Sequence, residues 1–103
     1  MHLVQILLPL RGPHGKEFAR AEYSSVATEL TDRFGGMTAY TRAPAAGLWQ
    51  EDPSGKTKRD DIVVYEVMVD DVDEGWWAAY RQELERRFAQ RELVVRAQEI
   101  RRL

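Results

Sequence analysis

The sequence predicts an α+β fold: a four-stranded antiparallel sheet carrying two helices on one face. Three observations predict it. The run Asp61-Ile62-Val63-Val64-Tyr65-Glu66-Val67-Met68-Val69 is the longest β-branched, apolar stretch in the chain and reads as a central strand. Two segments, about Arg20 to Phe34 and Glu74 to Ala89, repeat apolar residues at helical spacing. Three further strand-like runs surround them, so the order is strand, helix, strand, strand, helix, strand. A chain of 103 residues holds one such core, and residues 1–103 are taken as a single domain.

Leu3 to Leu8 forms the first strand, ended by Pro9 and the Gly12-Pro13-His14-Gly15 loop. In the first helix Tyr23, Val26, Ala27, Leu30 and Phe34 make one apolar stripe, and Gly35-Gly36 supplies the C-cap, where a positive φ is needed. Met37 to Ala43 is the second strand. Residues 44–60 read as an irregular, extended hairpin loop with Asp52-Pro53-Ser54-Gly55-Lys56 at its tip. The central strand follows and closes at Asp70-Asp71. Asp73 caps the second helix, whose stripe is Trp77, Tyr80, Leu84 and Phe88, leaving Trp76 at an edge or interface. The last strand runs from Glu92 or Leu93 to about Gln98.

This order is the split βαβ pattern of the ferredoxin-like fold, with strand order 4-1-3-2. Side chains alternate along strands, which divides the sheet into two faces. Val4, Ile6, Leu8, Val63, Tyr65, Val67 and Val69 fall on an apolar face that meets the helices. Leu3, Gln5, Leu7, Tyr40, Arg42, Ile62, Val64, Glu66, Met68, Val94 and Arg96 fall on the other. No helix covers that second face, and its apolar area exceeds what monomers usually expose. The sequence therefore predicts a homodimer, two sheets face to face in an α/β barrel with polar residues lining its interior.

Glu66 is the carboxylate in the middle of the apolar run, and it must find a partner or a solvated cavity. Arg96 lies on the same face two strands away, with Gln5 between. Two readings stand: a hydrogen-bonded network that sets the dimer register, or a site with Glu66 as general base and Arg96 holding an anionic ligand. Tyr40 and Arg42 extend the face towards the hairpin. Trp49 stands among polar residues and reads as folding over a cavity mouth or a second subunit. His14 is a loop histidine, a second candidate base that is more simply read as solvated.

Composition narrows the function classes. Without cysteine there are no disulfides, thiolate nucleophiles or thiolate metal sites, and two separated histidines predict no dedicated metal centre. No cofactor is expected, because the chain carries no dinucleotide fingerprint and Gly12-Pro13-His14-Gly15-Lys16 lacks phosphate-loop spacing. A net charge of −2, with Arg interleaved among Glu, predicts no nucleic-acid partner. The N-terminal apolar run is too short to span a membrane, so no membrane partner is expected and the setting is read as cytoplasmic.

With these elements placed, the chain resembles small bacterial proteins of the dimeric ferredoxin-like α/β-barrel group. The residues that carry the resemblance are Arg33-Phe34-Gly35-Gly36-Met37-Thr38-Ala39-Tyr40, Gly47-Leu48-Trp49, Ile62 to Val69, and Arg87-Phe88-Ala89-Gln90-Arg91-Glu92-Leu93-Val94. The resemblance implies a fold and a homodimer. The wider group includes cofactor-free monooxygenases, isomerases and decarboxylating enzymes, and none of their catalytic patterns maps onto residues here. Two functions follow as expectations: a homodimeric protein holding a small organic ligand between the sheets, or a cofactor-independent, monooxygenase- or isomerase-like enzyme on a small hydrophobic, anionic substrate.

Overall fold

The structure, a computed structural model, describes residues 1–50 and 57–103, with side chains for 1–40 and 62–103. In chain order it contains β1 (His2–Pro9), α1 (Arg20–Phe34), β2 (Thr38–Gln50), β3 (Thr57–Val69), α2 (Glu74–Arg87) and β4 (Val95–Glu99). The strands form one antiparallel sheet in the order β2-β3-β1-β4, which is the predicted topology.

Period-two patterning decides which side of β1 and β3 is buried. Val4, Ile6, Leu8, Val63, Tyr65, Val67 and Val69 form the core with Val26 and Leu30 of α1, Trp77 and Leu84 of α2, and Phe88. Full burial of a side chain such as Leu8 or Leu84 stabilises by roughly 1.5–3 kcal/mol. Arg87 ties the helices together: its Nη1 donates to both Glu29 oxygens, at 2.6 and 2.7 Å, and its Nε donates to Glu83 at 3.1 Å. Trp76 is part-buried at the edge of the helix layer. It stacks on Tyr80 at 4.9 Å between centroids, and the Arg33 guanidinium sits 4.1 Å from its ring centre.

Two of the four helix ends follow from local capping chemistry. Asp73 accepts the Trp76 N–H at 3.0 Å, the expected N-cap bond. Gly35 takes φ 80°, and its N–H donates to the Thr31 carbonyl. Helix α2 stops at Arg87 rather than Ala89. The Gln90 N–H closes onto the Glu85 carbonyl at 2.8 Å, which puts Ala89 at φ 50°, a place usually given to glycine.

Three strand boundaries differ from the sequence reading. β2 runs on to Gln50 and β3 begins at Thr57, so much of the supposed irregular loop is paired strand. The reason is a register shift. Tyr40 pairs with Val64 and Ala45 with Ile62, which sets residues 41–44 against Val63 alone. Such a bulge absorbs Pro44, which has no N–H for the ladder, and breaks the alternation by which a strand is read from sequence. The hairpin tip at 52–56 lies outside the described residues. β4 begins at Val95, later than expected, because the Leu93 N–H is taken by the Glu85 carboxylate at 2.9 Å instead of a strand partner.

Candidate functional site

The open face holds one chain of polar side chains that crosses all four strands. In the ladder Gln5 lies opposite Glu66 on one side and Arg96 on the other, while Thr38 lies opposite Glu66. Opposite residues share a face, so their side chains meet. Arg96 Nε donates to Gln5 Oε1 at 2.8 Å, and Gln5 Nε2 donates to Glu66 Oε1 at 2.5 Å. The Tyr40 hydroxyl, diagonal to Glu66, donates to Glu66 Oε2 at 3.2 Å. Glu66 is half-buried, and each carboxylate oxygen receives one of these bonds. The same carboxylate raises the Tyr40 pKa, first by its charge and then by accepting the hydrogen bond.

Apolar surface surrounds the chain. Among the described residues, and apart from Met1 and Leu103, the exposed large hydrophobic residues are Tyr40 at 49 %, Met68 at 52 % and Val94 at 48 %, and all three lie on this face. Beside Glu66 a hollow of about 570 Å³ opens among Leu3, Gly35, Thr38, Met68, Asp70 and Arg102. A carboxylate has about four acceptor positions, and bonds from the described residues fill two of those of Glu66, so with respect to these residues it retains capacity for a ligand donor or a proton. Arg96 forms no ion pair among the described residues, because Gln5 stands between it and Glu66.

Four of the residues singled out from the sequence, Gln5, Tyr40, Glu66 and Arg96, are therefore brought together. His14 is not joined to them. It lies exposed beside Pro13, Phe18 and Arg87 in a separate hollow of about 700 Å³ that shares no lining residue with the one at Glu66. Arg42 falls in the shifted part of β2, and Trp49 pairs with Lys58 in the ladder; the side chains of both lie outside the described ones. Sequence reasoning did not find Thr38, Asp70 and the Gly35-Gly36 backbone as walls of the hollow. Their sequence signals were a strand position, a strand end and a helix cap. No group of three or more acidic, histidine or cysteine residues is placed to hold a metal among the described residues.

No family model matches the chain, and no curated protein matches it in sequence. Solved structures do. A phage SAM lyase in complex with S-methyl-5'-thioadenosine superposes with a TM-score of 0.64 at 17 % identity, over 95 % of this chain and 80 % of that one. The same comparison with a phage SAM lyase in the apo state gives a TM-score of 0.61 at 14 % identity, over 95 % and 79 %. The fold is ferredoxin-like. At these identities the likeness is one of fold, and the ferredoxin-like sheet places the polar chain on its helix-free side.

Proposed function

We propose that the protein is a homodimer that binds a small organic molecule on the open face of its sheet, with the second subunit closing over the site. The observation that carries this reading is the Arg96-Gln5-Glu66-Tyr40 chain, set in an apolar face beside a hollow that reaches Glu66. A carboxylate whose only task was to brace the sheet would need no such opening. The apolar residues around it favour a ligand with a hydrophobic body, and Arg96 favours one bearing negative charge. No described helix is long and apolar enough to cross a membrane, and a cysteine-free chain suits a cytoplasmic setting.

The likeness to a SAM lyase favours a second reading, a cofactor-independent enzyme in which Glu66 takes a proton from the substrate and Arg96 anchors it. SAM and S-methyl-5'-thioadenosine are the first ligands to test, by calorimetric titration, with SAM consumption followed by chromatography. The expected outcome is a solution mass about twice the 11.9 kDa of one chain and saturable binding of a small organic ligand. Glu66→Gln is expected to lose that binding at concentrations where the variant, even with a weakened association, is still dimeric. A Glu66→Gln protein that is monomeric at every concentration tested would make the network structural instead, and SAM consumption that stops in the dimeric variant would establish the enzyme reading.

A further inference from the structure

We infer that the two sheets meet about a two-fold axis running along β1, so that Arg96 of each copy reaches Glu66 of the partner subunit and the site is composite. The inference rests on the homodimer proposed above and adds its register. Glu66, Gln5 and Arg96 lie in one row across β3, β1 and β4, with Gln5 in the middle. At about 4.8 Å per strand, the two charged residues stand roughly 10 Å apart on either side of β1.

Two sheets stacked face to face need an axis in the plane between them, and the row decides which. An axis along the row sets Arg96 over Arg96 and Glu66 over Glu66. An axis along β1 exchanges the ends of the row, so each Arg96 meets a Glu66 and Gln5 faces Gln5. The apolar residues tolerate both arrangements. Along β1, Leu3 meets Leu3, Leu7 meets Leu7, and Val64 meets Val94; along the row, Leu3 meets Leu7 and Met68 meets Val64. The charges discriminate, because apposed like charges oppose association and opposite charges set register. Both partners have capacity for the contact. Among the described residues, Arg96 commits only Nε, to Gln5, leaving its two terminal amino groups, and Glu66 has acceptor positions beyond those used by Gln5 and Tyr40. Gln5 thus keeps the two charges apart within a copy and available between copies.

Charge reversal tests the axis. Arg96→Glu and Glu66→Arg, each alone, are expected to raise the dimer dissociation constant roughly tenfold or more, and the double reversal is expected to restore it, as measured by light scattering over a dilution series. Single variants that dimerise like the parent, or a double variant as weak as the singles, overturn the axis while the dimer stands. A parent protein that is monomeric overturns the homodimer itself. Since reversal can impair folding, Leu7→Cys in this cysteine-free chain gives an independent reading. A short bis-maleimide should link Leu7→Cys to its own copy; linking only in mixtures of Leu3→Cys and Leu7→Cys, where position 3 meets position 7, assigns the other axis.

Discussion

Gln5 touches both charges of the open face because its amide donates at one atom and accepts at the other. Arg96 takes the carbonyl oxygen and Glu66 takes the amino group, so the two charges are linked without forming an ion pair. Tyr40 completes the chain, and the Glu66 carboxylate raises its pKa. A phenol beside a carboxylate keeps its proton to higher pH, so the Tyr40-Glu66 hydrogen bond persists through the ordinary tyrosine range and is lost as pH rises through the raised value. Glu66→Gln removes that charge. The Tyr40 ring resonances, followed by NMR against pH, are then expected to titrate lower than in the parent. An unchanged midpoint would mean that Glu66 does not set it. At this scale the sequence was informative: alternation alone put Gln5, Tyr40, Glu66 and Arg96 on one face. It could not show that Thr38 and Asp70 share a hollow, since that depends on how Gly35-Gly36 and the end of β3 come together.

Helix ends test how far local chemistry governs the elements. Gly35 at φ 80° occupies a conformation free to glycine and costly to any residue with a Cβ, whereas Ala89 at φ 50° bears that cost in the native chain. Gly35→Ala should therefore destabilise by about 1 kcal/mol, and Ala89→Gly should stabilise by a similar amount, both read from urea denaturation midpoints. Equal and small effects would place the strain elsewhere. The helices were legible from their stripes and caps, with α1 bounded as expected at Arg20 and Phe34. β2 was not, because its pairing is interrupted by a bulge and a proline, and the register beyond the bulge is set by β3 rather than by the segment's own pattern.

Across the whole molecule the two faces of the sheet do different work, and one pair of substitutions separates them. Leu84 is fully buried, so Leu84→Ala should cost about 2–5 kcal/mol of folding stability. Met68 is half exposed on the open face, so Met68→Ser should change monomer stability by less than about 0.5 kcal/mol. The same substitution should weaken the proposed dimer, seen as a shift towards monomer on dilution. A Met68→Ser protein that dimerises as tightly as the parent would remove Met68 from the proposed interface.

Period and punctuation in the sequence determined the number and order of elements, the helix-facing core and the polar residues of the open face. These are local properties, carried by repeats of two and 3.6 residues and by Gly, Pro and Asp at element ends. Only the tertiary structure decided that Gln5 bridges Arg96 and Glu66, that a hollow opens beside Glu66 and that His14 stands apart from both. Those facts depend on strand register, and register is a relation between segments distant in the chain. It is set where a bulge, a turn and a packed face agree, not within any one stretch of residues.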